Sequence, residues 1–264
     1  MTPLFDANAH PSLSGTILKK PASFPSLLQH LHDAGFIGAC AVGLPASGEY
    51  DHKNFLAACQ AHPNLVPVAA WSDVPTSKIE QEIFALQTLG YRAIKLHPRL
   101  CGMSVRDARF AQVLQACASA QVVVFHCTYQ FGTDGSLHPI DPLPALMDAV
   151  ANAPNLKMVL LHGGGIEILR YSEAVRSNPN LLLDLSLTLT RYKRSSVDLD
   201  IAHLFNTFDQ RMCLGSDFPE YTPSEIRDRF ELLASGLSQT KRDNIGWRNI
   251  MSMVGVEKCE KLTP

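Results

Sequence analysis

The sequence lacks several features that would assign it to a class at once. No stretch is apolar for long enough to span a bilayer. There is no block of Lys and Arg, and the formal net charge is -2, so neither nucleic acid nor an anionic membrane surface is an expected partner. The N-terminus has no charged segment followed by an apolar one, so no signal peptide is expected. The 7 cysteines are odd in number and scattered, with no CxxC pair. They read as reduced thiols of a cytoplasmic protein, and Cys40, Cys59, Cys101, Cys117, Cys127 and Cys213 read as small buried hydrophobes. No linker is visible, and no repeat beyond a strand–helix unit.

What is present is apolar and regularly punctuated. Hydrophobic residues make up 46% and charged residues 18% of 264 residues, which supports a sizeable core and argues against disorder. Eight short apolar runs are expected as strands: 4–10, 37–44, 65–71, 91–97, 122–126, 156–162, 181–185 and 211–215. Segments with helical spacing follow them: 24–34, 51–61, 75–89, 105–120, 141–151, 166–176, 197–208 and 223–234, with 240–253 closing the chain. Asp51 and Ser104 are expected helix caps. Residues 11–23, 128–140 and 191–196 read as loops. Strands apolar on both faces indicate a parallel sheet, and eight βα units in about 250 residues match a closed (β/α)8 TIM barrel. The expectation is a single domain over 1–264. An open doubly wound sheet is the alternative, weakened because no Gly-rich phosphate loop follows the first strand.

The first strand, LFDANAH, ends in Asp6, Asn8 and His10, spaced two apart and so on one face. Four later runs also end in His or Asp: AIKLH (His97), VVVFH (His126), MVLLH (His162) and MCLGSD (Asp217). In a (β/α)8 barrel these strand ends converge on one rim, where active sites lie. Imidazole and carboxylate are natural ligands of Zn, Mn or Fe. Three of them plus a water would make an open catalytic site.

DANAH, AIKLHP, FHC, LLHGGG, LDLS and LGSDFP, in this order, with the closing IGWRNIMSMVG, resemble the amidohydrolase superfamily. In particular they resemble the amidohydrolase 2 branch, related to aminocarboxymuconate-semialdehyde decarboxylases and pyrone-dicarboxylate lactonases. The resemblance implies one divalent metal ion, with Zn the first choice. It implies His10, His126 and Asp217 as ligands, with Asn8 standing where the family usually has His or Glu. It also implies Asp217 as general base and His162 as acid/base or oxyanion stabiliser. Lys95 falls near the place of a bridging carboxylated lysine in binuclear members, a modification that resemblance to a usually mononuclear branch does not imply.

Of the remaining polar residues, His97 and Lys95 are expected to contact substrate, and Asp6 to serve structurally. Asp184 and Ser186 share a face of the seventh strand, lining the pocket or bonding backbone. Arg99 is the expected anchor for a substrate carboxylate, and Arg191, Lys193 and Arg194 form either a second anchor or a solvated loop. Gly163–Gly165 would admit substrate to backbone N–H groups or simply turn the chain. His138 is the one loop histidine singled out. The expected function is metal-dependent hydrolysis of a lactone or amide bond in a small, carboxylated molecule. The alternatives are a non-oxidative decarboxylase, and a metal-free lactonase or binding protein in which Asn8 marks a lost ligand. A homodimer is the default assembly.

Overall fold

The computed structural model describes residues 1–45, 50–72, 74–130 and 142–257. Eight parallel strands follow each other in chain order around one sheet: β1 (Leu4–Ala9), β2 (Phe36–Val42), β3 (Leu65–Ala70), β4 (Ala93–Leu96), β5 (Val123–Cys127), β6 (Met158–Leu161), β7 (Leu181–Asp184) and β8 (Met212–Cys213). The helices between and after them are α1 (Phe24–Asp33), α2 (His52–Gln60), α3 (Ile79–Leu89), α4 (Ala108–Ala120), α5 (Leu143–Ala151), α6 (Ile168–Ser177), α7 (Ser196–Thr207) and α8 (Pro223–Leu233). This is the expected (β/α)8 TIM barrel.

Closure is made by backbone rather than by a long last strand. Ala7 N–H donates to Leu214 O, Asp217 N–H to Asn8 O and His10 N–H to Phe218 O, each at 2.8 Å. Asp6 clasps the same seam. Its Oδ1 accepts from Asn8 N (3.1 Å) and Ser216 N (2.9 Å), and its Oδ2 accepts from the Ser216 hydroxyl. The structural role expected of Asp6 is thereby located at barrel closure.

Strand alternation sorts the core into two layers. Phe5, Ala7, Val42, Val68, Ala93, Val123, Phe125, Val159, Leu161 and Cys213 fill the barrel. Leu4, Ala39, Ile94, Leu96, Val124, Leu160 and Leu183 pack outward against the helices. Ile250, Met251 and Val254 of the last turns join the inner layer, and Gly246 packs against Pro3 and Leu4. The C-terminal helical segment therefore floors the N-terminal end of the barrel, leaving the opposite rim for chemistry.

Local departures from expectation have local causes. Helix α4 begins at Ala108, because Asp107 caps it by accepting from Arg109 N (2.9 Å); Ser104 instead accepts from Arg106 N in a turn upstream. Asp51 does cap α2, accepting from Asn54 N at 2.8 Å. The loop 11–23 contains a two-residue ladder, Thr16–Ile17 against Lys20–Pro21. Thr188–Arg191 is a short helix leading into the basic loop, and 240–253 is broken by a π-turn over Asn244–Arg248. His138 and Asp141 lie outside the described residues.

Candidate active site

Inward parity on β4 runs Ala93, Lys95, His97, and on β1 the chain bulges after Asp6 and turns Asn8 and His10 to the interior. His162 follows β6 directly, and Asp217 follows β8. Both take left-handed backbone, at φ 67° and 55°. A residue with a β-carbon held there stores roughly 1–3 kcal/mol of strain, a cost that clusters at functional sites.

Asp217 is the hub. Asn8 Nδ2 donates to its Oδ1 at 2.7 Å, and His10 Nε2 lies 3.3 Å from the same oxygen. His10 donates through Nδ1 to Val42 O (2.8 Å), which leaves Nε2 bare to accept from Lys95 Nζ at 2.9 Å. His162 donates through Nδ1 to Ser186 O (3.0 Å), so its Nε2 is the free nitrogen. The Ser186 hydroxyl is bonded to the Asp184 carboxylate and accepts from Asn8 Nδ2 at 3.2 Å.

Charge follows from these contacts. Burial would raise the Asp217 carboxyl, yet the His162 charge, with Lys95 contributing, holds it well below the usual carboxylate range. Burial also works against a charged His162, but Asp217 and the Cys127 thiol outweigh it and lift the imidazole to about 9. His10 is pushed down by burial and by the Lys95 charge, hence neutral. Burial lowers Lys95 too, with Asp217 opposing. Asp184 is pushed up to about 6 by burial, against the pull of His162.

Of the four expected metal ligands, Asn8, His10 and Asp217 meet, and His126 stands apart from them. His126 occupies the outer parity of β5, packed edge-on to Phe110 of α4 with ring centroids 5.2 Å apart, and its Nδ1 is buried without a partner. Asn8 turns its NH2 group toward Asp217 and leaves Oδ1 unpartnered, so the amide is a donor to the carboxylate rather than a ligand beside it. Among the described residues no three His, Cys, Asp or Glu side chains are grouped to hold a metal ion. The remaining pair, His10 and Asp217, already faces the Lys95 ammonium. A divalent ion does not fit this donor set.

Cys127 takes the inward place on β5 that His126 was expected to hold. Burial would raise its thiol, but His97 and His162 nearby overcome that and hold it well below the usual thiol range. Cys127 is buried, as expected, and the histidines near it set it apart from the other cysteines. The inward parity Val123, Phe125, Cys127 was the available signal, but in an apolar run the opposite parity reads equally well. Cys127 and His97 also border a cavity of about 160 Å³ with Arg99, Arg106 and Tyr129, on the β4–β5 side of the hub.

Above His162 stands a tyrosine flanked by cations. Tyr129 meets the His162 ring at 6.3 Å, Arg191 lies 5.4 Å and Arg99 5.9 Å from the Tyr129 ring centre, and Arg99 Nη1 donates to Tyr129 O at 2.7 Å. Arg99 and Arg191, more than 90 residues apart, thus share one part of the rim. The three glycines after His162 serve the turn. All have positive φ, and a β-carbon on Gly164 would fall 2.2 Å from the Tyr171 ring. The turn is pinned where Gly164 N–H donates to Thr128 Oγ1 at 2.7 Å.

Several solved structures share this architecture. An uncharacterised TIM-barrel protein from Bordetella bronchiseptica is 18% identical, with a TM-score of 0.78 over 96% of this chain and 99% of that one. A candidate 2-pyrone-4,6-dicarboxylic acid hydrolase from Acinetobacter baumannii, with citric acid bound, is 17% identical, TM-score 0.70, over 96% and 99%. 5-Carboxyvanillate decarboxylase from Sphingomonas paucimobilis is 11% identical, TM-score 0.72, over 97% and 100%. No curated protein matches the sequence. The amidohydrolase family pattern matches residues 21–256, nearly the whole barrel, and the chain accordingly belongs to the amidohydrolase family.

Proposed function

We propose that this protein hydrolyses a lactone or amide bond in a small carboxylated molecule. One observation carries the reading. Asp217 is held ionised and His162 is held protonated, each by the other's charge, with Arg99 and Arg191 around the Tyr129 that packs on His162. Two neighbouring groups driven apart in this way mark a base and an acid. Asp217 takes a proton from water as its oxygen bonds to the carbonyl carbon. The C–O or C–N bond then breaks, and the leaving atom takes the proton from His162 Nε2. Once His162 gives up its charge, one of the cations that lowers Asp217 is gone, so the carboxylate becomes more basic as the reaction proceeds. Arg99 and Arg191 hold the substrate carboxylate, through charge-assisted hydrogen bonds. The family membership and the carboxylated compounds in the names of the two functionally named relatives support this substrate class.

The test is a panel of cyclic esters and amides, each with and without a carboxylate, assayed for ring opening and for CO₂ release. Ring opening with kcat/KM about 100-fold higher for the carboxylated member, largely lost in Arg99→Ala, is expected; each charged hydrogen bond is worth about 1.5–3 kcal/mol. Equal rates on the uncharged members would remove the arginines from recognition. CO₂ release without hydrolysis would replace the reading with a decarboxylase.

A further inference from the structure

The cluster around Asp217 has the shape of a metal site with a different cation in it. His10 is locked by the Val42 carbonyl in the tautomer that metal-binding histidines use, with Nε2 unprotonated and directed inward. That lone pair lies 3.3 Å from Asp217 Oδ1. Two acceptors this close repel unless a donor or a positive charge lies near them. The group lying on that nitrogen is Lys95 Nζ, 2.9 Å from Nε2 on a side chain only 3% exposed; burial works against its charge, and Asp217 is the leading partner that favours it.

We propose that Lys95 is a resident cation that takes the place of a divalent ion, bonded to His10 and facing Asp217, and that it excludes metal from the site. Three further features agree with this and do not depend on one another. Asn8 contributes an N–H donor, which suits a carboxylate already neutralised by a fixed ammonium and does not suit a shared metal. His126, needed to complete a ligand set, turns its ring to Phe110 and borders the β4–β5 cavity rather than the Asp217 cluster. His162 adds a second positive charge beside Asp217, so a dication would enter against two fixed cations. At a few ångströms and low effective dielectric such repulsions are strong. The ammonium also differs from a metal in its demands. It donates three hydrogen bonds and needs no fixed coordination number, which is compatible with a site of only two strong acceptors. The inference concerns the cation alone and holds for any reaction at this site.

The experiment uses the full chain and Zn²⁺ alone as probe. The protein is stripped with chelator, incubated with excess Zn²⁺, desalted and analysed for metal, and Zn²⁺ affinity is measured by calorimetry. The same is done for Lys95→Met, Lys95→Gln and the double variant Lys95→Met/Asp217→Asn, each checked by circular dichroism. The expected result is well under one Zn²⁺ per chain in the wild type. Either single variant should bind Zn²⁺ about 100-fold more tightly, as expected from removing one adjacent charge, and the double variant should lose that gain. A merely structural lysine would give no gain of metal affinity on removal. About one Zn²⁺ per wild-type chain, or folded Lys95 variants with unchanged affinity, would overturn the proposal. Should neither variant fold, the wild-type measurement decides, since a stoichiometric ion there contradicts the exclusion directly and its absence upholds it.

Discussion

The Asn8 side chain donates from Nδ2 to Oδ1 of Asp217 at 2.7 Å, joining the two ends of the barrel seam across 209 residues. A neutral donor here stabilises the ionised carboxylate without adding charge. Replacing it by a carboxylate, Asn8→Asp, places two like charges at hydrogen-bond distance, and one of them must take up a proton. The expected outcome is a loss of about 100-fold or more in kcat and an acid limb of the pH–rate profile moved upward by at least about one unit. A profile with an unmoved acid limb would show that Asn8 does not act on Asp217.

His162 provides a pH signature of its own. Its folded value, about 9, is raised above its ordinary value of 6.5, so it contributes stability that is fully present below about pH 6.5. That contribution fades as pH rises through about 9. Asp217 behaves in the opposite sense: its folded value is depressed, and its contribution is lost in acid. Thermal melts of the wild type from pH 6 to 10 should fall on the alkaline side, and His162→Gln should flatten that fall. Parallel curves for the two proteins would place the alkaline transition elsewhere.

Asp6 accepts hydrogen bonds from two backbone N–H groups and one hydroxyl at the closing seam. Asp6→Ala strands all three donors in the interior, with an expected cost of about 3–5 kcal/mol, read from denaturant unfolding. Burial pushes this carboxyl up to about 7, so in the wild type the proton is held more tightly folded than unfolded. The wild type is therefore expected to lose stability between about pH 4 and 7 through this group, a slope absent in Asp6→Ala.

Gly164 has no room for a side chain. A β-carbon would meet Tyr171 at 2.2 Å, and the backbone is left-handed at φ 77°. Gly164→Ala should cost about 3 kcal/mol or more from overpacking and backbone strain together. Gly102 has a similar φ, 61°, with no atom within 4 Å of its β-carbon position, so Gly102→Ala should cost only about 1–2 kcal/mol. Comparable melting temperatures for the two variants would rule out Tyr171 as the constraint.

The sequence by itself determined the barrel. Eight apolar runs alternating with helical ones admit few arrangements, because a strand apolar on both faces must be covered on both. It also marked the rim, since a polar residue ending an apolar strand is a local feature. Asp217, His162 and His10 were legible for that reason, as was Arg99 just past β4.

What the tertiary structure decided is which way those ends face and what they meet. In VVVFHC every residue before the histidine is apolar, so hydrophobic alternation cannot say which parity is interior. Only pairing with β4 and β6 turns Cys127 inward and His126 out to Phe110. The contact of Lys95 with His10 spans 85 residues, and that of Arg191 with Tyr129 joins different βα loops. Metal ligation and a lysine–histidine–aspartate cluster call for nearly the same residue types. The difference between them is a matter of a few ångströms and of tautomer, set by the Val42 carbonyl and the closure of β1 on β8, and neither is written in local sequence.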